Sequence, residues 1–257
     1  MKVGATPAGI EPGNEVAASK AIREMFGRVA PRYDLLNRLL SLRIDQYWRN
    51  FLVRKVRPYL ERPGARVADL CCGTGDLLIA LEAERGLRGN RTAAIIGSDF
   101  CRPMLTAAGQ KLVRRGYRNG LIEADAMRLP WNDEFLDLVT IAWGFRNLAN
   151  YQGALREFQR VIRPGGCVAI LEFSRPTTPL LGPLFQFYFR HVLPRVGNAL
   201  SGSGNAYSYL QHSVSEFPAP ATLAAMMREA GFSRVETFAL TGGISYLHLG
   251  YKHPAAG

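Results

Sequence analysis

Apolar and polar positions along this chain follow two periods. Segments rich in apolar residues at 65–70, 93–99, 119–123, 136–142, 166–173, 234–240 and 245–251 predict strands, with Cys167 to Leu171 a continuous apolar run. Between them, apolar residues spaced three and four apart predict helices over 20–27, 32–41, 45–59, 75–86, 102–115, 150–162, 180–196 and 220–230. Strand–helix alternation of this kind implies an α/β fold, a seven-stranded and mostly parallel sheet with helices on both faces. Thr241-Gly242-Gly243 separates the last two runs and predicts a terminal hairpin, with an antiparallel strand at the end of the sheet.

Two stretches stand outside the alternation. Residues 1–19 carry Pro7, Pro12, Gly4, Gly9 and Gly13 among small residues and read as a disordered tail. The remainder, 20–257, reads as one domain with N-terminal helices at 20–62 and an insertion at 176–217. That insertion opens with 14 uncharged residues, Pro176 to Phe189, too short a run to span a bilayer. It is suited to capping the core over an active site, to lying in a membrane interface, or to ordinary core packing.

Composition narrows the class. A chain of 257 residues with 47% apolar content can bury a full core, and a net charge of +11 raises anionic lipid, nucleic acid or an anionic substrate as partners. A basic surface with no specific partner is the plain alternative, and Arg54-Lys55-Val56-Arg57 and Lys111-Leu112-Val113-Arg114-Arg115 fit solvated helix faces. Four cysteines without C-x-x-C spacing predict neither a disulfide framework nor a metal site. The N-terminus has no apolar stretch of signal-peptide length, which points to a cytoplasmic protein.

The chemistry concentrates in Val67-Ala68-Asp69-Leu70-Cys71-Cys72-Gly73-Thr74-Gly75-Asp76 and in Asp99, 24 positions beyond Gly75. An apolar run, a glycine turn, a helix start and a second run ending in an acid build a nucleoside pocket at the carboxyl edge of a sheet. A dinucleotide is disfavoured: Leu78 stands where G-x-G-x-x-G needs its third glycine, and Asp76 puts negative charge where a pyrophosphate would sit. The spacing resembles motif I of the S-adenosylmethionine (SAM) methyltransferases, whose cofactor carries a positive sulfonium and no phosphate.

Three further blocks carry a closer resemblance. They are Met25 to Asn37 continuing to Trp48-Arg49; Trp143-Gly144-Phe145-Arg146-Asn147 with the preceding Ile141-Ala142; and Ala206-Tyr207-Ser208-Tyr209-Leu210 with Ser213, Phe217-Pro218, Leu240 to Ile244 and His248-Leu249-Gly250. From Met25 to Lys252 the chain resembles the ubiquinone/menaquinone biosynthesis C-methyltransferases, the demethylmenaquinone methyltransferase family. The resemblance implies SAM-dependent methylation of a ring carbon in a polyprenylated quinol, demethylmenaquinol first and the benzoquinol precursor of ubiquinone as the alternative. It assigns the cofactor to Asp69, Gly73, Thr74, Gly75, Asp99, Asp125, Ala126 and Ala142, with alanine at 142 where some members have a serine. Cys71-Cys72 replaces the Ala-Gly of other members and reads as small packing residues.

A ring carbon becomes nucleophilic when a hydroxyl on the ring ionises, and a phenol pKa of about 10 demands help at neutral pH. Arg146 and Asn147, just past the fourth strand, are the candidates to stabilise the quinolate, against a structural arginine holding loop carbonyls. Asp34 is a candidate base or a helix cap, and Tyr33, Tyr207 and Tyr209 candidate pocket walls. Glu172 is an acid to watch, His248 a packed histidine, and His212 no required group. The competing classes are a methyltransferase for RNA or another small molecule, and a SAM-binding membrane-surface protein without turnover. Among partners, the reading expects the quinol, peripheral contact with anionic membrane at the inner face of the cell membrane and homo-oligomer formation, and no nucleic acid.

Overall fold

A computed structural model describes residues 4, 13–30, 34, 41, 43–90, 92–176, 182 and 206–254; at 206–208 it describes the backbone alone. Seven strands form one sheet: β1 (Arg66–Leu70), β2 (Ala94–Asp99), β3 (Gly120–Glu123), β4 (Leu136–Ala142), β5 (Ile162–Phe173), β6 (Arg234–Leu240) and β7 (Ser245–Tyr251). Their order is β3-β2-β1-β4-β5-β7-β6. The first five pair in parallel, whereas β7 runs antiparallel to both neighbours. The expected hairpin is therefore present, but its antiparallel strand lies one place in from the edge and β6 is outermost.

The flanking helices are α1 (Glu15–Val29), α2 (Ile44–Leu60), α3 (Asp76–Leu87), α4 (Arg102–Arg114), α5 (Tyr151–Val161), α6 (Ala206–Glu216) and α7 (Pro220–Glu229). Their starts follow local chemistry. Asn150 caps α5 by accepting from Gly153 N at 2.8 Å, and Pro220 begins α7, where a missing N–H costs nothing. Asn14 accepts from Ala17 N at 3.1 Å, so α1 begins at Glu15 and residues 15–19, expected in the tail, are helical. α6 was not anticipated as a helix. The expected helices at 32–41 and 180–196 lie outside the described residues apart from Asp34, Ser41 and Gly182.

Strand alternation builds two cores, one per face. Val67, Leu138, Ala169 and Leu249 point to the α2–α3–α4 side, and Ala68, Val139, Val168 and Ile170 to the α5–α7 side. β5 starts four residues earlier than expected, because Leu136 pairs with Ile162 and Leu138 with Cys167, a bulge that absorbs Pro164-Gly165-Gly166.

The parallel register fixes where the site must be. Asp69 lies opposite both Gly97 and Thr140, and Ala142 opposite Leu171. The ends of β1, β2, β4 and β5 thus emerge at one carboxyl edge, where strand order reverses between β1 and β4. Open α/β sheets bind ligands at that point.

Candidate active site

A cleft opens at this edge. Of the residues assigned from sequence, Gly73, Asp99, Asp125, Ala126, Ala142 and Asn147 line it. Asp69, Thr74, Gly75, Arg146 and Asp34 are absent from its wall. Each of these five has a supporting position that the structure makes explicit.

The glycine turn is held from both ends. Gly73 N donates to Asp99 Oδ2 at 2.9 Å, and Cys101 N to Asp99 Oδ1 at 2.8 Å, so one carboxylate ties the end of β2 to the loop after β1. Each oxygen keeps a further lone pair for a ligand hydroxyl. Gly75 sits at φ +84°, and a Cβ there would come 3.3 Å from Ala108 Cβ, so glycine lets α3 start against α4. Asp69 is buried in β1; its Oδ1 accepts from the Thr140 hydroxyl at 2.7 Å, and its Oδ2 has no partner.

Burial raises both carboxyls. It pushes Asp69 up to about 7, the Thr140 hydroxyl opposing and Asp99 reinforcing. It pushes Asp99 up to about 6 against the pull of the Cys101, Gly73 and Phe100 backbone donors and of Arg23. Asp125 adds a third carboxylate; its Oδ1 accepts from Met127 N at 2.9 Å. Among the described residues the cleft wall carries Asp99 and Asp125 and no lysine or arginine. That wall repels a pyrophosphate and attracts a sulfonium, so the residues present fit SAM.

Thr74 and Asp34 meet in an ionic network beside the turn. The Thr74 hydroxyl donates to Asp34 Oδ1 at 2.5 Å and accepts from Lys111 Nζ at 3.0 Å. Lys111 also pairs with Asp34 Oδ2 at 2.5 Å and Asp76 Oδ1 at 2.8 Å, and Arg49 lies 3.6 Å from Asp76 and 2.7 Å from Asp45. Both Asp34 oxygens are thus engaged in tethering the N-terminal region to the glycine turn. Lys111, which reads from sequence as part of a solvated face, is a half-buried member of this network.

Arg146 turns away from the cleft wall. Its Nη1 donates to Glu172 Oε1 at 2.9 Å and to the Trp143 carbonyl, and its guanidinium carbon lies 5.6 Å from the Phe173 ring. Its backbone N–H donates to Glu172 Oε2 at 3.1 Å, and its carbonyl accepts from the Tyr151 hydroxyl at 2.9 Å. Glu172 thus holds the turn Phe145–Asn147 onto β5. Asn147 stays in the wall, with its Oδ1 accepting from the Tyr209 hydroxyl of α6 at 3.1 Å.

Several wall residues were not assigned from sequence: Ser19 and Phe26 of α1, Cys71, Phe100, Met104 and Trp143. For Trp143 the available signal was an aromatic beside a glycine at a strand's carboxyl end; Phe26, in α1, carried no such signal. Burial and the surrounding carboxylates raise the Cys71 thiol, which disfavours its thiolate. His248 is packed as expected, with Nε2 3.1 Å from the Pro220 carbonyl, and His212 is exposed. Tyr33 and the Tyr207 side chain lie outside the described residues. Among the described residues no group of three or more His, Cys, Asp or Glu could hold a metal ion, and no helix is long and apolar enough to cross a membrane.

Comparison with known proteins places this geometry in a family. The model of the ubiE/COQ5 methyltransferase family matches residues 14–252. A demethylmenaquinone methyltransferase from Thermus thermophilus is 47% identical over 226 residues, 88% of this chain and 99% of that one. Another from Deinococcus radiodurans is 45% identical, covering 93% of this chain and 96% of its own. Among solved structures, a SAM-dependent methyltransferase from Thermotoga maritima superposes with a TM-score of 0.61 at 19% identity, covering 90% of this chain and 99% of that one. The CurJ carbon methyltransferase gives a TM-score of 0.61 at 15% identity, covering 93% and 68%. These two likenesses establish the fold, a SAM-methyltransferase α/β sheet. With the family model spanning nearly the whole chain, the protein belongs to the ubiE/COQ5 methyltransferase family and is a methyltransferase.

Proposed function

We propose that this enzyme methylates a ring carbon of demethylmenaquinol, using SAM as methyl donor. The observation that carries the reading is the cleft itself: an acidic, cation-free wall at Asp99 and Asp125 that continues past Ala142 into the aromatic Trp143 and the amide of Asn147. Relatives named for demethylmenaquinone methylation, alike over nearly their full length, support the same substrate.

In this reading SAM supplies a methyl group already activated on sulfonium. Gly73, Asp99, Asp125 and Ala126 bind its nucleoside part, and Asp99 accepts the ribose hydroxyls. The quinol must be reduced, since an oxidised ring is too electron-poor to attack. Asn147 orients the ring oxygen, whose ionisation pushes electron density to the neighbouring carbon. With SAM bound, the activated ring carbon would take its methyl group and the ring proton would leave to solvent. The Arg146 guanidinium is charge-balanced by Glu172, so Arg146 acts as a positioning residue that keeps Asn147 and Trp143 in place. Helix α6, Ala206–Glu216, reaches Asn147 through the Tyr209 hydroxyl.

Labelled-methyl transfer to reduced demethylmenaquinone and to a reduced demethylated benzoquinone tests the reading. Product from the naphthoquinol alone supports it. Product from the benzoquinol alone, or from neither while SAM still binds, overturns the substrate assignment. The net charge of +11 and a lipid-soluble substrate support cytoplasmic work at an anionic membrane surface. Sedimentation with anionic vesicles at low salt is the expected result, and indifference to them would overturn that part.

A further inference from the structure

Trp143 and Cys71 are the wall residues with left-handed backbone, at φ +55° and +48°. Trp143 follows β4 directly, in a left-handed conformation that is unfavourable for a bulky aromatic and persists only where its surroundings impose it. Those surroundings are explicit. Its N–H donates to the Leu171 carbonyl at 2.7 Å, and its own carbonyl accepts from Arg146 Nη1 and, at 3.5 Å, from Asn147 Nδ2. Gly144, the next residue, packs so tightly that a Cβ there would come 2.4 Å from Cys71 Cβ. The Arg146–Glu172 pair therefore works on the backbone of Trp143.

Trp143 is among the residues that line the cleft, and its indole packs against the core with Nε1 buried. The ring is backed by Trp48, with centroids 6.1 Å apart, and by Phe173, 5.8 Å apart. Trp48 is locked in turn: it is buried, and its Nε1–H donates to the Thr241 hydroxyl at 2.8 Å. Arg49 lies 5.8 Å from the Trp143 ring. The Trp143 ring thus has aromatic support and stands in the same wall as Asn147 and Ala142. A flat, fused-ring apolar ligand matches such a platform through offset stacking.

We propose that Trp143 is the residue that receives the bicyclic ring of the quinol and sets the preference for naphthoquinol over benzoquinol. The proposal rests on the quinol reading above and adds its ring-recognition element. Recognition comes from the face of the fused ring system; the Arg146–Glu172 pair is its scaffold.

The test uses the full chain with Trp143→Phe, Trp143→Leu and Trp143→Gly. Glycine at this φ removes the backbone strain, so Trp143→Gly tests loss of the ring without demanding a distorted turn. SAM affinity, read by calorimetry, is expected to stay within about threefold of wild type, as the indole is not a cofactor donor. The KM for reduced demethylmenaquinone is expected to rise about tenfold or more with leucine or glycine and less with phenylalanine, as loss of a stacked pair predicts. The naphthoquinol-to-benzoquinol ratio of kcat/KM should fall in the same order.

An unchanged quinol KM, or a loss of SAM affinity matching the loss of rate, overturns the proposal. If leucine and glycine variants do not fold, the ratio measured with Trp143→Phe decides it alone. A binding arm needs no turnover. A soluble naphthoquinone should quench wild-type tryptophan emission and quench Trp143→Phe much less, although Trp48 and Trp131 remain; equal quenching overturns the proposal. Should the wild type methylate no quinol, the substrate reading fails, and this arm still reports separately on the platform.

Discussion

Glu172 holds Arg146 at two points, Oε1 on the guanidinium Nη1 at 2.9 Å and Oε2 on the backbone N–H at 3.1 Å. Both side chains are nearly excluded from water, at 8% and 1% exposure. Removing one partner of such a pair strands the other charge, which costs far more than the intact pair contributes. Glu172→Ala is therefore expected to destabilise the protein by about 3 kcal/mol in urea titrations. Glu172→Gln, which can still accept from the Arg146 N–H, should lose less. Equal stability of Glu172→Ala and wild type would mean that the turn after β4 is held by something else.

Lys111 is the shared cation of Thr74, Asp34 and Asp76. Lys111→Met leaves two carboxylates facing each other and frees the Thr74 hydroxyl to reorient beside the glycine turn. SAM affinity is expected to fall about tenfold, the loss of one charge-assisted hydrogen bond, with Lys111→Arg recovering part of it. Calorimetry at low and high salt checks the origin: screening should narrow the gap, since Asp34 and Asp76 keep 30% and 27% of their side-chain surface exposed. A gap that ignores salt would point to packing.

Much of this fold is legible in the chain. The Cys167–Leu171 part of β5 is a continuous apolar run punctuated by Pro164-Gly165-Gly166, and two-sided burial suits it. The cofactor half of the site is legible for a related reason: Gly73, Asp99 and Asp125 sit where successive strands end. The other half depends on contacts distant in sequence. Glu172 reaches Arg146 across 26 residues only because β5 lies beside β4, and Lys111 looks like a surface lysine until α4 is packed against the glycine turn. Helix α6 escaped because Ser208, Gln211, His212 and Ser215 leave no continuous apolar stripe in Ala206–Glu216.

The buried carboxylates make cofactor binding depend on pH. Asp99 is pushed up to about 6 and Asp69 to about 7, so below these values the native protein holds protons that a cationic ligand must displace. A sulfonium favours the ionised forms. SAM affinity is therefore expected to be flat above about pH 7.5, to weaken as pH falls through about 7 and to weaken more steeply below about 6, approaching tenfold per pH unit for each proton displaced. Titration from pH 5 to 8 checks this, and Asp69→Asn should flatten the upper part of the curve. Constant affinity across that range would mean that neither carboxylate senses the cofactor's charge.

His248 gives the opposite linkage, on stability. Its Nε2–H donates to the Pro220 carbonyl at 3.1 Å, its Nδ1 has no partner, and burial pulls its pKa down to about 4. At pH 7 the imidazole is neutral in both the folded and the unfolded chain, so it adds no pH-dependent term. As pH falls below about 6.5 the unfolded chain takes up a proton that the folded one refuses, and stability is lost until the pH reaches the folded value near 4. Between pH 7 and 5 the expected loss from this group is about 2 kcal/mol. The measurement is the difference in unfolding free energy between the two pH values, for wild type and for His248→Gln. Glutamine keeps a donor for Pro220 and cannot titrate, so the variant should lose less than wild type by that amount. Parallel pH profiles for the two proteins would show that the β7 histidine is solvated enough to accept its proton in the folded state.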